Sequence, residues 1–401
     1  MRRLFAFFVF VSVLFVSVEA DMYAGRRDKA PKYIFLFIGD GMGMTHVAAA
    51  ESYLSFKSGV DSQGLTMCSF PYFGLCSNAS ADADITDSSA AATAIACGAK
   101  TNNGFLGVDP DGEPLKSMTY DLQERGYQIG ILSNVPVNHA TPASFYASSR
   151  ARSDYYNISQ QIASTGFDFF AGSGFLNVTG RKKDKEPIDK WLEGQGYSVC
   201  YGVEEFEAKA DKTDKIIFCQ ASSRVDGAGN YVSEGKDVED VTLGTMLEVG
   251  LDFVDDDKPF FFMCEGGNID WDAHANKTMP VVADVIEFDG AVAVAYEFYK
   301  QHPDETLIIV TADHETGGMS LGADGYNIGW TVLEEQWEKS GRKNILSTKD
   351  NASLNAEASI GWTTGGHTAA YVPVFSIGVN AERFSGKMDN TEFKGKILQR
   401  R

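Results

Sequence analysis

Four of the six histidines in this chain lie in short segments that carry, or stand close to, a carboxylate. Three of these segments are Glu265-Gly-Gly-Asn-Ile-Asp270-Trp-Asp-Ala-His274, Thr311-Ala-Asp313-His314-Glu-Thr-Gly-Gly and Gly365-Gly366-His367-Thr. The fourth is Asn138-His139-Ala-Thr141-Pro. Imidazole nitrogens mixed with carboxylate oxygens are the donors that zinc and magnesium ions take. Gly39-Asp40-Gly-Met-Gly43 adds a carboxylate between glycines. Thr86-Asp87-Ser88-Ser89-Ala90 adds hydroxyls at the head of an alanine-rich stretch. A serine hydroxyl is a weak nucleophile at neutral pH and needs a base or a metal to activate it. No Gly-x-Ser-x-Gly elbow is present, so metal activation is the remaining route. Singly, each feature has a plainer reading: a capped helix, a tight turn, a hydrogen-bonded loop histidine. Three histidines in such contexts together favour the metal site.

These residues need elements to bring them together. Short, almost continuously apolar runs predict buried strands at 33–38, 128–132, 259–264, 306–310 and 373–378. Helical patterns alternate with them at 87–99, 116–125 and 280–301. The alternation predicts an α/β fold, a mostly parallel central sheet with helices on both faces. Ligands of such sheets collect beyond the carboxyl ends of the strands. Asp40, Glu265, Asp313 and His314 each follow a predicted strand directly, and His139 follows one after a few residues. Residues 180–186 are highly charged and read as a solvated loop. Residues from about 320 to 360, with one helix at 332–340, read as an excursion that caps or flanks the site.

As a set, these motifs resemble the alkaline phosphatase family, from Tyr33 to about Gly378. The match around Ser88 runs from Thr86-Asp-Ser-Ser-Ala-Ala-Ala-Thr-Ala through Gly98 to Asn103-Gly-Phe-Leu-Gly-Val108. The resemblance implies an alkaline-phosphatase-like sandwich that hydrolyses small phosphate monoesters through a phosphoserine at Ser88. Ser89 is the competitor for that role, one residue late. Asp270, His274 and His367 are then ligands of a first zinc. Asp313, His314, Asp40 and the Ser88 oxygen are ligands of a second. Asp40, Thr141 and Glu265 match the magnesium ligands. Position 139 is His where the enterobacterial pattern has Asp, and position 271 is Trp where that pattern has Lys. Imidazole shifts the preference of this third site, built with His139, from magnesium toward zinc or cobalt. Arg152 is the implied phosphate clamp, with Arg150 as the alternative. The implied mechanism is two in-line displacements favoured at alkaline pH, with inorganic phosphate as product and inhibitor. The family is commonly homodimeric.

The bulk sequence sets wider bounds. The chain has 401 residues and a net charge of −20, which disfavours nucleic acid and acidic lipid surfaces. Residues 1–20 read as a signal peptide, with Arg2 and Arg3 before an apolar run and a small-residue cleavage site. One catalytic domain would then occupy 21–401, exported to the periplasm or secreted. His46 and His302 match nothing and read as structural. Six cysteines form no Cys-x-x-Cys pair; Cys68 with Cys76 and Cys200 with Cys219 are the nearest candidates for disulfides. Cys97 and Cys264 read as buried thiols. Other readings are a sulfatase or phosphodiesterase of the same superfamily, a phosphoglycerate mutase, or a phosphate-sequestering protein. The sulfatase pattern is absent around Ser88, the leader disfavours the mutase, and no ligand is missing.

Overall fold

A computed structural model describes residues 30–59, 64–223, 240–323, 325–342 and 346–399. The expected leader, 1–20, lies outside them. Its strands are β1 (Tyr33–Gly39), β2 (Tyr72–Ser77), β3 (Gln128–Ser133), β4 (Phe169–Gly172), β5 (Ser198–Tyr201), β6 (Ile216–Cys219) and β7 (Phe260–Gly266). They continue with β8 (Thr306–Thr311), β9 (Glu315–Thr316), β10 (Met319–Leu321), β11 (Ile360–Trp362), β12 (His367–Thr368), β13 (Val372–Gly378) and β14 (Gly386–Asp389). Ten of them form one sheet in the order β14-β2-β13-β8-β1-β7-β3-β4-β6-β5. Every pair in it is parallel except those made by β13, which runs against both β8 and β2.

The central strand β1 is buried along its whole length, between β7 and β8. Phe35 faces Phe262 on one side and Ile308 on the other. Helix Thr278–Gln301 covers one face and packs Phe288 against Phe37. Such all-apolar strands are stable only with both faces covered, which is the layering observed.

Because β1, β3, β7 and β8 run parallel, their carboxyl ends share one edge of the sheet. The reversal of β13 brings the fifth segment to the same edge. Val374 pairs with Thr311 at the end of β8, so β13 begins where its neighbours finish. His367, just upstream, therefore reaches the edge from an amino end.

The excursion holds two helices, Trp330–Lys339 and Thr348–Glu357, where the sequence showed one. Polar side chains of the second helix fasten the loop behind His274. Asn351 Nδ2 donates to the carbonyls of Ala275 and Asn276, and Asn355 Nδ2 donates to that of Asn276. The charged stretch 180–186 is a largely exposed turn.

The disulfide expectation fails: all six cysteines are free thiols. Cys200 pairs with Phe218 in the parallel ladder, and Cys219 pairs with Tyr201. Successive residues of a strand point to opposite faces, so the two sulfurs lie on different sides of the sheet.

Candidate active site

Asp40 follows β1 and is fully buried. The next residue, Gly41, has φ +73°, and a Cβ there would stand 2.8 Å from Thr316 Oγ1 and 3.0 Å from the Asp270 Cα. Glycine is required by both conformation and space. It lets the segments carrying Asp40, Asp270 and Thr316 meet. The Gly41 amide donates to Asp313 Oδ1 at 3.1 Å, which fixes one carboxylate of the next segment.

Three clusters adjoin. In the first, His274 Nε2 lies 3.2 Å from Asp270 Oδ2 and 3.3 Å from His367 Nε2. His367 Nε2 is 3.6 Å from Asp270 Oδ1. The two outer nitrogens settle the tautomers. His274 Nδ1 contacts the Gly365 carbonyl at 2.7 Å, and His367 Nδ1 contacts that of Thr86 at 2.8 Å. A carbonyl only accepts, so each Nδ1 carries a proton, which leaves the Nε2 of each ring as the atom that faces Asp270 and could meet a cation.

In the second cluster, His314 Nε2 is 3.3 Å from Asp40 Oδ1, 3.3 Å from Asp313 Oδ2 and 3.2 Å from Ser88 Oγ. Thr316 Oγ1 donates to Asp270 Oδ1 at 2.5 Å and stands 3.3 Å from His314 Nδ1. With its own proton given to Asp270, the hydroxyl accepts from His314, leaving Nε2 unprotonated. The His314 and His367 rings stack with centroids 3.6 Å apart, so the first two clusters share a wall.

The third brings donor atoms of Asp40, His139 and Glu265 within 4.8 Å of one another. Thr141 Oγ1 is 3.5 Å from Asp40 Oδ2. Ser133 donates to Glu265 Oε2, while Glu265 Oε1 and His139 Nδ1 are buried without a hydrogen-bond partner. Trp271 packs its ring edge-on against His139, with centroids 5.6 Å apart.

The electrostatics are those of a cavity short of positive charge. Burial, then the charges of Asp313, Asp270 and Glu265, push the Asp40 carboxyl well up. Burial and the charges of Asp270 and Glu265 do the same to Asp313, against the pull of the Gly41 amide. Burial raises Glu265 to about 7. Burial also opposes ionisation of Asp270, but the His274 hydrogen bond and the neighbouring imidazoles outweigh it and hold this carboxyl low. Burial drives two imidazoles toward the neutral form, His314 strongly and His139 to about 3, whereas the hydrogen bond to Asp270 raises His274 against burial. Asp40, Asp270, Asp313 and Glu265 repel one another when ionised. Divalent cations between them would turn that repulsion into coordination, and the N/O donor sets fit zinc and magnesium.

Ser88 is the first residue of helix Ser88–Cys97 and is buried, with Oγ 3.4 Å from Asp40 Oδ1. Asp87 caps the helix by accepting from the Ala90 amide. It also takes the hydroxyl proton of Ser89, which turns that competitor aside. Asp87 Oδ2 holds Arg152 Nη1 at 3.0 Å, and Arg152 Nη2 lies 3.4 Å from His139 Nε2. Burial works against the arginine's charge, but Asp87 and Asp40 outweigh it. Arg150 points away, donating to the Asp111 carbonyl. Every residue expected at the site is therefore gathered at this edge.

The sequence did not reveal Thr316, Ser133 or the anchoring role of Asp87. Each is a short polar residue whose partner is fixed only by folding. His46 is buried at the rim, where its Nδ1 accepts from the Gly43 amide at 2.9 Å. Burial lowers it to about 4, so it serves as a neutral structural acceptor. His302 follows helix Thr278–Gln301 and packs on Phe298 and on Tyr33 at the start of β1, at the end of the sheet opposite the cluster.

Comparison with known proteins agrees with this architecture. Alkaline phosphatase 3 of Bacillus subtilis is 28% identical over 94% of this chain and 90% of its own length. The alkaline phosphatase of the Antarctic bacterium TAB5 superposes with a TM-score of 0.75 at 32% identity, covering 92% of this chain and 98% of the other. A TAB5 variant with one histidine replaced by aspartate, solved with Mg bound in its M3 site, superposes with a TM-score of 0.74 at 31% identity over the same shares. The model of the alkaline phosphatase family matches residues 31–168 and 169–399, and with it this chain belongs to that family.

Proposed function

We propose that this hydrolase of phosphate monoesters works through a covalent phosphoserine at Ser88, in a centre of two zinc ions and one magnesium. Asp270, His274 and His367 would hold the first zinc. Asp40, Asp313, His314 and the Ser88 oxygen would hold the second. Asp40, Thr141, Glu265 and His139 would hold the third ion, where the imidazole also admits zinc or cobalt. Bound there, the ions supply Lewis-acid charge that lowers the pKa of hydroxyl and water and neutralises phosphate oxygens.

The chain's own residues do the rest. Ser88 Oγ attacks phosphorus in line with the departing alcohol oxygen. The amino terminus of helix Ser88–Cys97 favours the anion that Ser88 becomes and then carries. Arg152, held by Asp87, offers its remaining N–H groups to the equatorial oxygens as charge spreads over them. Water then cleaves the phosphoserine, and inorganic phosphate, as product, competes with substrate.

One observation carries this reading: the Ser88 hydroxyl lies 3.2 Å from His314 Nε2 and 3.4 Å from Asp40 Oδ1, at a helix amino terminus. The test is release of a chromophore from an aryl phosphate monoester, with a diester as control. We expect monoester turnover that chelator abolishes and zinc with magnesium restores. Turnover unaffected by prolonged chelation, or faster on the diester, would refute the reading. Export and a homodimer belong to the same proposal. Amino-terminal sequencing of the exported protein checks the first, and sedimentation checks the second.

A further inference from the structure

Arg152 sits in a tight turn, closed by the Asp154 amide donating to the Ala151 carbonyl at 3.0 Å. The flanks of this turn line a cavity of about 500 Å³. That is within the range of small-molecule sites, about 300–1,000 Å³. Ser153 and Asp154 form one side, Tyr155 the head of the next helix, and the charged turn with Arg181, Lys182 and Lys185 the opposite wall.

A charged turn is ordinarily a solvated surface loop. This one is fastened in place. Lys185 Nζ lies 4.3 Å over the Tyr156 ring and donates to Asn157 Oδ1 at 3.2 Å. The Tyr156 hydroxyl donates to the Glu186 carbonyl at 3.0 Å. The Asp154 carboxylate, on the facing wall, is engaged by Asn157 Nδ2 at 2.9 and 3.0 Å. Arg181 and Lys182 make no ion pair among the described residues. A chain of net charge −20 thus sets Arg181, Lys182, Lys183 and Lys185 together against the two carboxylates of Asp184 and Glu186 within that run. The turn around Arg152 joins the cavity to the site, because Arg152 lies inside it while Ala151, Ser153, Asp154 and Tyr155 line the cavity.

We propose that the cavity is an accessory anion subsite, receiving a second phosphate carried by the leaving alcohol of the substrate. The preferred substrates are then small bisphosphorylated molecules, with one phosphate at Ser88 and the other between Arg181 and Lys182. The proposal rests on the phosphomonoesterase reading and narrows its substrate class. Fixed cations there attract a dianion more strongly than the hydroxyl of a plain alcohol, by an amount that salt screens.

Two substrates separate the effects: an alkyl phosphate monoester ending in a hydroxyl, and its counterpart ending in a phosphonate, which is anionic and resists hydrolysis. We expect kcat/KM to favour the phosphonate by about five- to tenfold at low ionic strength, as two partly exposed charge pairs allow. In the double variant Arg181→Ala, Lys182→Ala the ratio should fall toward one, and in wild type it should fall as salt rises. The ratio is internally controlled, so a general loss of fold cannot imitate the result. A wild-type ratio of one or less, or a ratio untouched by the double variant, overturns the subsite while leaving the phosphomonoesterase reading intact. No turnover of either ester by wild type overturns both.

Discussion

At the scale of single residues, the site works by placing donors where a cation is needed and removing other partners. His274 and His367 each spend the Nδ1 proton on a carbonyl, and His314 spends its own on Thr316. The sequence announced the donors because carboxylates and imidazoles directly after apolar strands have few structural uses. It could not announce Thr316 or Ser133, whose work depends on a neighbour from another segment. Arg152→Ala should lower kcat/KM for a monoester on the order of a hundredfold, the usual cost of one aimed donor to a transition-state oxygen. Steady-state kinetics checks this, and a loss under threefold would remove Arg152 from the clamp. His139→Asp exchanges an imidazole for a hard oxygen donor. Magnesium affinity at the third position should then rise on the order of tenfold. The variant should saturate at lower magnesium in an activity titration; saturation at unchanged or higher magnesium would contradict the assignment of that site.

Elements decide whether those residues meet. Strands at 33–38, 128–132, 259–264 and 306–310 were legible because they are buried on both faces and so read as unbroken apolar runs. β4, β5 and β6 are four residues each, too short to show a pattern. β2 mixes buried and exposed residues around a glycine, and β14 starts with two exposed residues. The direction of β13 was also hidden, since a strand reads alike whichever way it pairs. That reversal is what delivers His367. The turn after β1 is the tightest joint. Gly41→Ala would force a left-handed backbone on a β-carbon and drive it toward Thr316 and Asp270. The expected cost is about 1–2 kcal/mol from the backbone alone, together with weaker metal binding. Chemical denaturation of the metal-free variant beside wild type measures it, and equal midpoints would show that the turn relaxes freely.

Across the whole molecule, the buried carboxylates tie the proposed metal ions to the stability of the fold. The layered α/β plan could be read from alternating helices and strands, whereas the strand order could not, because neighbours such as β1 and β7 lie more than two hundred residues apart. Without metal, Asp40, Asp313 and Glu265 are easier to protonate folded than unfolded, Glu265 near 7 against an ordinary 4.5. A raised carboxylate stabilises the folded state fully below its unfolded pKa, and that stability is lost as pH climbs through the folded value. The lowered imidazoles of His46, His139 and His314 act in the opposite sense up to their unfolded value of 6.5, so metal-free protein should lose thermal stability above that pH, as Asp40, Asp313 and Glu265 ionise. Metal-loaded protein should not, because the ions take over from the protons. Melting curves with chelator and with zinc check the difference; parallel pH dependence in the two would contradict it. The same linkage would strengthen metal binding as pH rises, as the proposed alkaline activity requires. The most direct measurement is to quench turnover of a phosphate monoester in acid and locate covalent phosphate by peptide mass spectrometry. Phosphate on Ser88, absent from Ser88→Ala along with turnover while that variant keeps its metal ions, is the predicted result. Phosphate on another residue, or turnover surviving in Ser88→Ala, would contradict it.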